Sequence, residues 1–357
     1  MDAMTRRVPT RCLLQPADVQ PQFEGFEVIG AFNPAAVSYN EGVALLIRVA
    51  ERPREVREGF IALPYWDRRR DRAAIDWRRL DEVDRIDPRV VRLRASGQIR
   101  LTFLSRLLAA FSRDGLSIDS FGETPFAPAD RYESFGVEDP RLVRLDDRFY
   151  FTYVAVSEHG IATALASTED FRSFRRHGVV FCPENKDVVL FPAKVGGEYV
   201  ALHRPNPSAH FSAPEIWIAR SPDLLHWGAH RRLLGSEAAW ATAKVGGGTP
   251  PVRTQRGWLS LFHGQMRPER PDQVGQYAAA ALLLDLDDPA RVVGISPRPV
   301  MLAEHDFERA GFLPNVVFPT GLVCRGDQFD VYYGAADTST GVARFAQKDI
   351  LAAIEPI

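Results

Sequence analysis

A repeat is the feature that most limits what this chain can fold into. Short stretches rich in aromatic and β-branched residues recur five times: "VALLIRVA" (43–50), "RFYFTYVAV" (148–156), "EYVALHRP" (198–205), "GWLSLFHG" (257–264) and "QFDVYYGAAD" (328–337). Each alternates with period two and is bounded by Gly, Asp or Pro, the pattern of a half-buried strand. A second apolar stretch follows each one, and then a polar cluster containing Asp: "SRDGLSID", "STEDFRSF", "SPDLLHW", "LDLDDPARV" and "AQKDIL". The starts lie roughly 55–65 residues apart, the length of a four-stranded propeller blade.

A second register agrees with the first. A proline motif precedes the leading strand of each period: "FNPAAV" (32–37), "VEDPRLV" (137–143), "VLFPAKV" (189–195), "GGTPPVR" (247–253) and "VFPTGLV" (317–323). Proline is tolerated where a strand begins but not in a paired interior, so each motif is expected to open an inner strand facing a central channel. The expectation is an all-β, five-bladed β-propeller in a single domain over residues 26–357, after an N-terminal extension over 1–25. A β-sandwich also has short strands but does not predict this repeat. Helical periodicity is scarce; "IDWRRLDEVDRID" suggests a short helical insertion near 63–93, and "QKDILAAIEPI" a short C-terminal helix.

Composition excludes several classes. The formal net charge is −2, with 25% charged and 45% hydrophobic residues, so nothing draws the chain as a whole toward nucleic acid or an anionic membrane. No apolar run reaches the length of a signal peptide or a membrane span, and a cytoplasmic location is expected. Cys12, Cys182 and Cys324 are odd in number and lack CxxC spacing, which argues against both a disulfide framework and a zinc site. No metal is expected.

The chemistry gathers at the repeated motifs. "VEDPR" would place Glu138, Asp139 and Arg141 at the channel mouth, where a carboxylate could act as an acid; a solvated turn is the plainer reading. Corresponding points of other periods supply Arg48, Lys186, Arg204, Lys244 and His263, the fourth beside the flexible triple glycine of "KVGGGTPP". Burying that much positive charge is costly unless an anion neutralises it. Phosphate would do so, and arginine is shaped to fork onto its oxygens. Taken singly, His263 could be a core histidine, Arg204 a structural ion pair and Lys244 a solvated loop residue.

"FNPAAV", "LLIRVAE", "FGVEDPRL", "NKDVVLFPAKVGGEYVALHRP", "GGGTPPVRTQRGWLSLFHG" and "VVFPTGLV…YYGAADTSTG" together resemble glycoside hydrolase family 130, the five-bladed β-propeller β-mannoside phosphorylases and related β-mannosidases. The resemblance runs in order from about Asn33 to about Ala343. It implies that Asp139 is the general acid, acting through a sugar hydroxyl, with Glu138 shaping the mannose site. It also implies that Lys186, Arg204, Lys244 and His263 bind phosphate, that Asn33, Arg48 and Asp337 contact the mannosyl ring, and that His210 contacts the acceptor sugar. Arg106 or Arg100 is a further sugar-contacting arginine. The arginine-rich segment 63–93 does not match the family core; it reads as a solvated surface helix, with an oligomer contact or a lid over the sugar site as alternatives.

The activity so implied is an inverting glycoside phosphorylase acting on β-mannosides, with β-1,2-linked manno-oligosaccharides favoured. Inverting hydrolysis normally needs a second carboxylate to activate water, whereas phosphate is already a nucleophile and asks instead for cations. An inverting β-mannoside hydrolase and a non-catalytic carbohydrate-binding propeller are the competing readings. The expected partners are a β-mannosyl oligosaccharide and inorganic phosphate as co-substrate. No cofactor, nucleic acid or membrane is expected, and a homo-oligomer is left open.

Overall fold

The computed structural model describes residues 5–206, 211–235, 237–268, 270 and 274–357. Five antiparallel sheets follow one another along the chain. The first contains Phe26–Tyr39, Gly42–Pro53, Leu104–Ser112 and Ser120–Phe121. The second contains Val137–Leu145, Arg148–Ser157, Gly160–Thr168 and Arg175–Phe181. The third runs from Asn185–Leu190 through Tyr199–Pro205 and Ile216–Ser221 to Gly228–Leu234. The fourth is built on Lys244–Gly247, Gly257–Gln265, Tyr277–Leu284 and Val292–Ile295. Val317–Arg325, Gln328–Ala335 and Ser339–Ala346 form the fifth, whose outermost strand is Thr10–Leu14 from the other end of the chain. Residues assigned by sequence to an N-terminal extension thus complete the last sheet.

Buried apolar side chains cluster between sheets. Leu46, Leu107 and Phe151 join the first to the second; Val143, Leu190 and Ala201 join the second to the third. Leu202, Trp258 and Phe262 lie between the third and fourth, and Leu261, Ala279 and Val331 between the fourth and fifth. Leu45, Ile47, Tyr332 and Val342 join the fifth back to the first. Thr320 Oγ1 of the fifth sheet also donates to the Pro34 carbonyl of the first at 2.7 Å. Burying each large side chain contributes about 1.5–3 kcal/mol.

The repeated Asp clusters are turns. Asp114, Asp170, Asp223 and Asp285 each accept from the backbone N–H groups two and three residues on. A short carboxylate replaces a backbone turn bond in this way, so one residue type recurs where the chain leaves the third strand of the first four sheets.

The helix expected within residues 63–93 is corrected. The segment forms a hairpin, Phe60–Asp67 with Arg72–Arg79, and a small sheet of Val83–Asp87, Val90–Leu93 and Ile99–Leu101. Only Leu80–Glu82 makes a 3-10 turn. Alternation decided the outcome: Ala73 and Ile75 on one hairpin face pack against Phe23, Phe26 and Leu104, while Trp77 lies under the Arg57 guanidinium at 4.3 Å. Tertiary packing overrode the helical spacing of the charges. The C-terminal helix is present at Gln347–Ala352. Among the described residues no helix is long and apolar enough to cross a membrane.

Candidate active site

The first strand of each sheet is an edge strand, and the proline motifs lie in or beside these edges rather than always opening them. Pro34 and Pro140 sit within their strands, each inside a register shift, while Pro192 follows the end of Asn185–Leu190. A bulge leaves the N–H of its extra residue unpaired, so proline costs nothing there.

Each bulge also turns one side chain toward the centre. Asn33, Asp139 and Asp187 all occupy the left-handed region, with φ of 50°, 47° and 55°, and each falls within a register shift of its strand. Asn and Asp tolerate this backbone better than other non-glycine residues. The residue before each of these bulges pairs with a residue of the second strand: Phe32 with Arg48, Glu138 with Val154 and Lys186 with Arg204; in the fourth sheet Gly246 pairs with His263 in an unbroken register. Arg48, Arg204 and His263 are therefore equivalent, as the repeat implied. Lys244 lies two positions earlier in its strand than Gly246. Phe318 pairs with Gly334 in the fifth sheet, where a Cβ would run into Asn33 Oδ1.

These residues line a cavity of about 190 Å³ that gathers Asn33, Arg48, Glu138, Asp139, Lys186, Arg204, Lys244, His263 and Asp337. One side is a carboxylate network. Arg48 donates from Nη2 to Glu138 Oε1 at 2.7 Å and from Nη1 to Asp139 Oδ1 at 2.9 Å; Asn33 Nδ2 donates to the same Asp139 oxygen at 2.8 Å. Phe32 and Phe103 lie 4.7 and 5.4 Å from the Arg48 guanidinium carbon. Burial pushes both carboxyls up, but Arg48, Arg141 and the Asn33 amide leave Asp139 below its ordinary value, whereas Glu138 stays above its own.

The other side holds the cations around a carboxylate. Asp187 Oδ2 lies 3.0 Å from Arg204 Nη1 and 3.4 Å from His263 Nε2, and Asp187 Oδ1 lies 3.9 Å from Arg141 Nη2. Burial opposes ionisation of Asp187, but Arg204 and the other cations outweigh it and hold the carboxyl well below its ordinary range. Burial and the neighbouring arginines push the His263 imidazole down to about 3, so it is neutral near pH 7. Lys244, buried near Arg204 and Lys186 with its ammonium 5.3 Å from the Tyr277 ring centroid, is also driven well below its ordinary value. Such a site gains by admitting an anion. The triple glycine is not a loose loop: Gly246 and Gly247 are in strand, and a Cβ on Gly246 would collide with Asp187 and the His263 ring.

Not every sequence candidate reaches the cavity. Arg106 points away, with Nε on Glu51 Oε1 at 2.7 Å and Nη2 on the Gln20 carbonyl. Its strand is third from the sheet edge, one strand spacing beyond that of Arg48. Arg100 is held by Asp76 and the Leu63 carbonyl in the insertion. His210 lies outside the described residues. His203, on the opposite strand face to Arg204, bonds Asn185 and His230 instead. The cavity also contains Arg89, which no repeat marked; it comes from the insertion and donates to Asp337 Oδ2 at 3.1 Å.

A model of the family described as β-1,4-mannooligosaccharide phosphorylase, glycoside hydrolase family 130, matches residues 83–355. The chain belongs to glycoside hydrolase family 130. Within the family it is 40% identical over 349 residues to the β-1,2-mannobiose phosphorylase of Listeria innocua serovar 6a, with 96% of each chain covered. The solved complex of that Listeria enzyme with β-1,2-mannobiose matches with a TM-score of 0.89 over 96% of each chain. A 1,2-β-oligomannan phosphorylase of Thermoanaerobacter sp. is 36% identical, over 70% of this chain and 81% of its own.

Proposed function

We propose that the protein is an inverting β-mannoside phosphorylase that cleaves β-1,2-linked manno-oligosaccharides with inorganic phosphate to α-mannose 1-phosphate and a shortened acceptor. One observation carries the reading: buried Arg204 and His263 and half-buried Lys186 and Lys244 meet in the same cavity as Asp139. The relatives named as acting on β-1,2-mannosides favour that linkage. The five sheets, with apolar clusters running in sequence and back from fifth to first, are the blades of a closed five-bladed propeller with this cavity on its axis. Residues 26–357 then form one catalytic domain, closed by the strand Thr10–Leu14.

Asp139 is the acid in this scheme. Arg48 and Asn33 favour its ionised form; a sugar hydroxyl inserted among them loosens that hold, so that the carboxyl takes up a proton from solvent, passes it to the hydroxyl as the hydroxyl gives its own to the leaving oxygen, and is left ionised again. Phosphate attacks from the face that holds Arg204, Lys186 and Lys244, and neither cofactor nor metal takes part. A hydrolase would need a free carboxylate to activate water. Among the described residues, the four carboxylates lining the cavity are already ion-paired: Glu138 and Asp139 with Arg48, Asp187 with Arg204, and Asp337 with Arg89.

The test is Arg204→Ala. Losing a charged hydrogen-bonding partner should raise the phosphate KM about 10- to 150-fold, while β-mannoside binding measured without phosphate changes much less. His263→Ala should act the same way with a smaller effect. Variants that melt lower yet keep a normal phosphate KM would make these residues structural and return the assignment to the hydrolase.

A further inference from the structure

The insertion between the second and third strands of the first sheet has its own apolar cluster of Ile61, Leu63, Val83, Val91 and Leu93. Its turn after Asp87 reaches into the cavity and contributes Arg89 and Val90. This turn is anchored at several points. The Arg89 carbonyl accepts from Thr102 N at 2.9 Å and from Thr102 Oγ1 at 3.3 Å, and the Arg89 N–H donates to Asp87 Oδ1 at 2.7 Å. The guanidinium is held from behind as well, Nη2 donating to Asp87 Oδ2 at 3.0 Å. Its other arm, Nη1, crosses to Asp337 Oδ2 on the turn after Gln328–Ala335 of the fifth sheet.

We propose that Arg89 is a sugar-binding, specificity-determining residue, which with Asp337 grips the mannosyl group and is held in place for that task by Asp87. The proposal rests on the phosphorylase reading for its substrate.

Three features support a sugar rather than the anion as the ligand. First, the groups bonded to Arg89 are carboxylates, Asp87 and Asp337, with Glu138 acting on it through space. They repel phosphate, and of the other cations Arg48 is itself paired with Glu138 and Asp139, while Lys244 acts on Arg89 through space only. Second, a guanidinium beside a carboxylate offers donors and an acceptor together, which matches a hydroxyl that both donates and accepts. Val90, Leu101, Phe103 and Leu313 line the same cavity and provide apolar walls for the C–H faces of a ring. Third, the exchange leaves no bare charge. When a sugar hydroxyl takes the place of the single Arg89–Asp337 contact, Asp87 still neutralises the guanidinium and Arg48 still acts on Asp337, so the penalty for stranding a buried ion is reduced. Asp337, raised by burial against the pull of Arg89 and Arg48, is then an acceptor ready for a hydroxyl.

The experiment measures steady-state phosphorolysis of β-1,2-mannobiose, varying each substrate, for the wild type and for Arg89→Ala, Arg89→Lys and Asp87→Asn. Loss of a charged hydrogen bond to substrate should raise the mannobiose KM of Arg89→Ala about 10- to 100-fold while the phosphate KM stays within about two-fold. Arg89→Lys, which keeps charge without the fork, should fall between, and Asp87→Asn should give a smaller rise with the same selectivity. A parallel rise in both KM values, or an unchanged mannobiose KM in variants that melt like wild type, overturns the proposal. If Arg89→Ala does not fold, the lysine and Asp87→Asn variants decide by the same criterion. Calorimetric binding of mannobiose without phosphate separates this idea from the reading it rests on. Should the wild type bind the sugar and release free mannose without phosphate, the phosphorylase reading fails, while weaker sugar binding by Arg89→Ala still upholds the role of Arg89.

Discussion

Asp139 combines three local conditions: a left-handed backbone, a bulge, and two donors on one carboxylate oxygen. Asparagine satisfies the first two equally well, and its carbonyl can still accept from Arg48. Asp139→Asn should therefore fold and melt like wild type yet lose roughly 10²- to 10⁴-fold in kcat on unactivated mannosides, because the amide cannot pass on a proton. Kinetics beside a thermal melt check this, and activity within a few-fold of wild type would reassign the acid. The repeat made Asp139, Lys186, Arg204 and His263 legible in the sequence, since aligned periods place them at matching points. Arg89 was not legible: its segment has no counterpart in the other periods. Asp187 was visible beside Lys186, but not that its carboxylate would sit among the cations as their fixed counter-ion.

Strand alternation carried most of the element-level information. The aromatic stretches fall in the second strands of their sheets, and the Asp clusters in the turns after the third strands in four of the five periods. The insertion misled because its charges have helical spacing while its few apolar residues alternate, and only packing against Phe23, Phe26 and Leu104 decides between them. The N-terminal strand was missed because its partner, Ser339–Ala346, lies at the far end of the chain. Arg7, just before that strand, donates to Glu308 at 2.6 and 2.8 Å with both side chains buried, and Tyr333 Oη donates to Glu308 at 2.5 Å. Removing one partner of a buried pair leaves the other charge uncompensated, so Arg7→Ala should lower unfolding stability by about 3–5 kcal/mol. The exposed neighbour Arg11, replaced by alanine, should change it by no more than about 0.5 kcal/mol. Denaturant titration of the two variants compares them directly.

At the scale of the whole molecule, apolar clusters join each sheet to the next and the fifth to the first, and this order brings residues from far apart in the sequence into one cavity. Asn33 and Asp337 meet there although they lie near opposite ends of the chain. In the proposed scheme the side of the cavity with Glu138, Asp139 and Asp337 takes the sugar and the side with Lys186, Arg204 and Lys244 takes the anion. Incubation of the purified protein with β-1,2-mannobiose, followed by proton and phosphorus NMR with and without inorganic phosphate, tests that division of labour most directly. The account predicts α-mannose 1-phosphate and free mannose in equal amounts when phosphate is present, and negligible cleavage when it is absent. Release of mannose at the same rate in phosphate-free buffer, with no sugar phosphate formed, would contradict it.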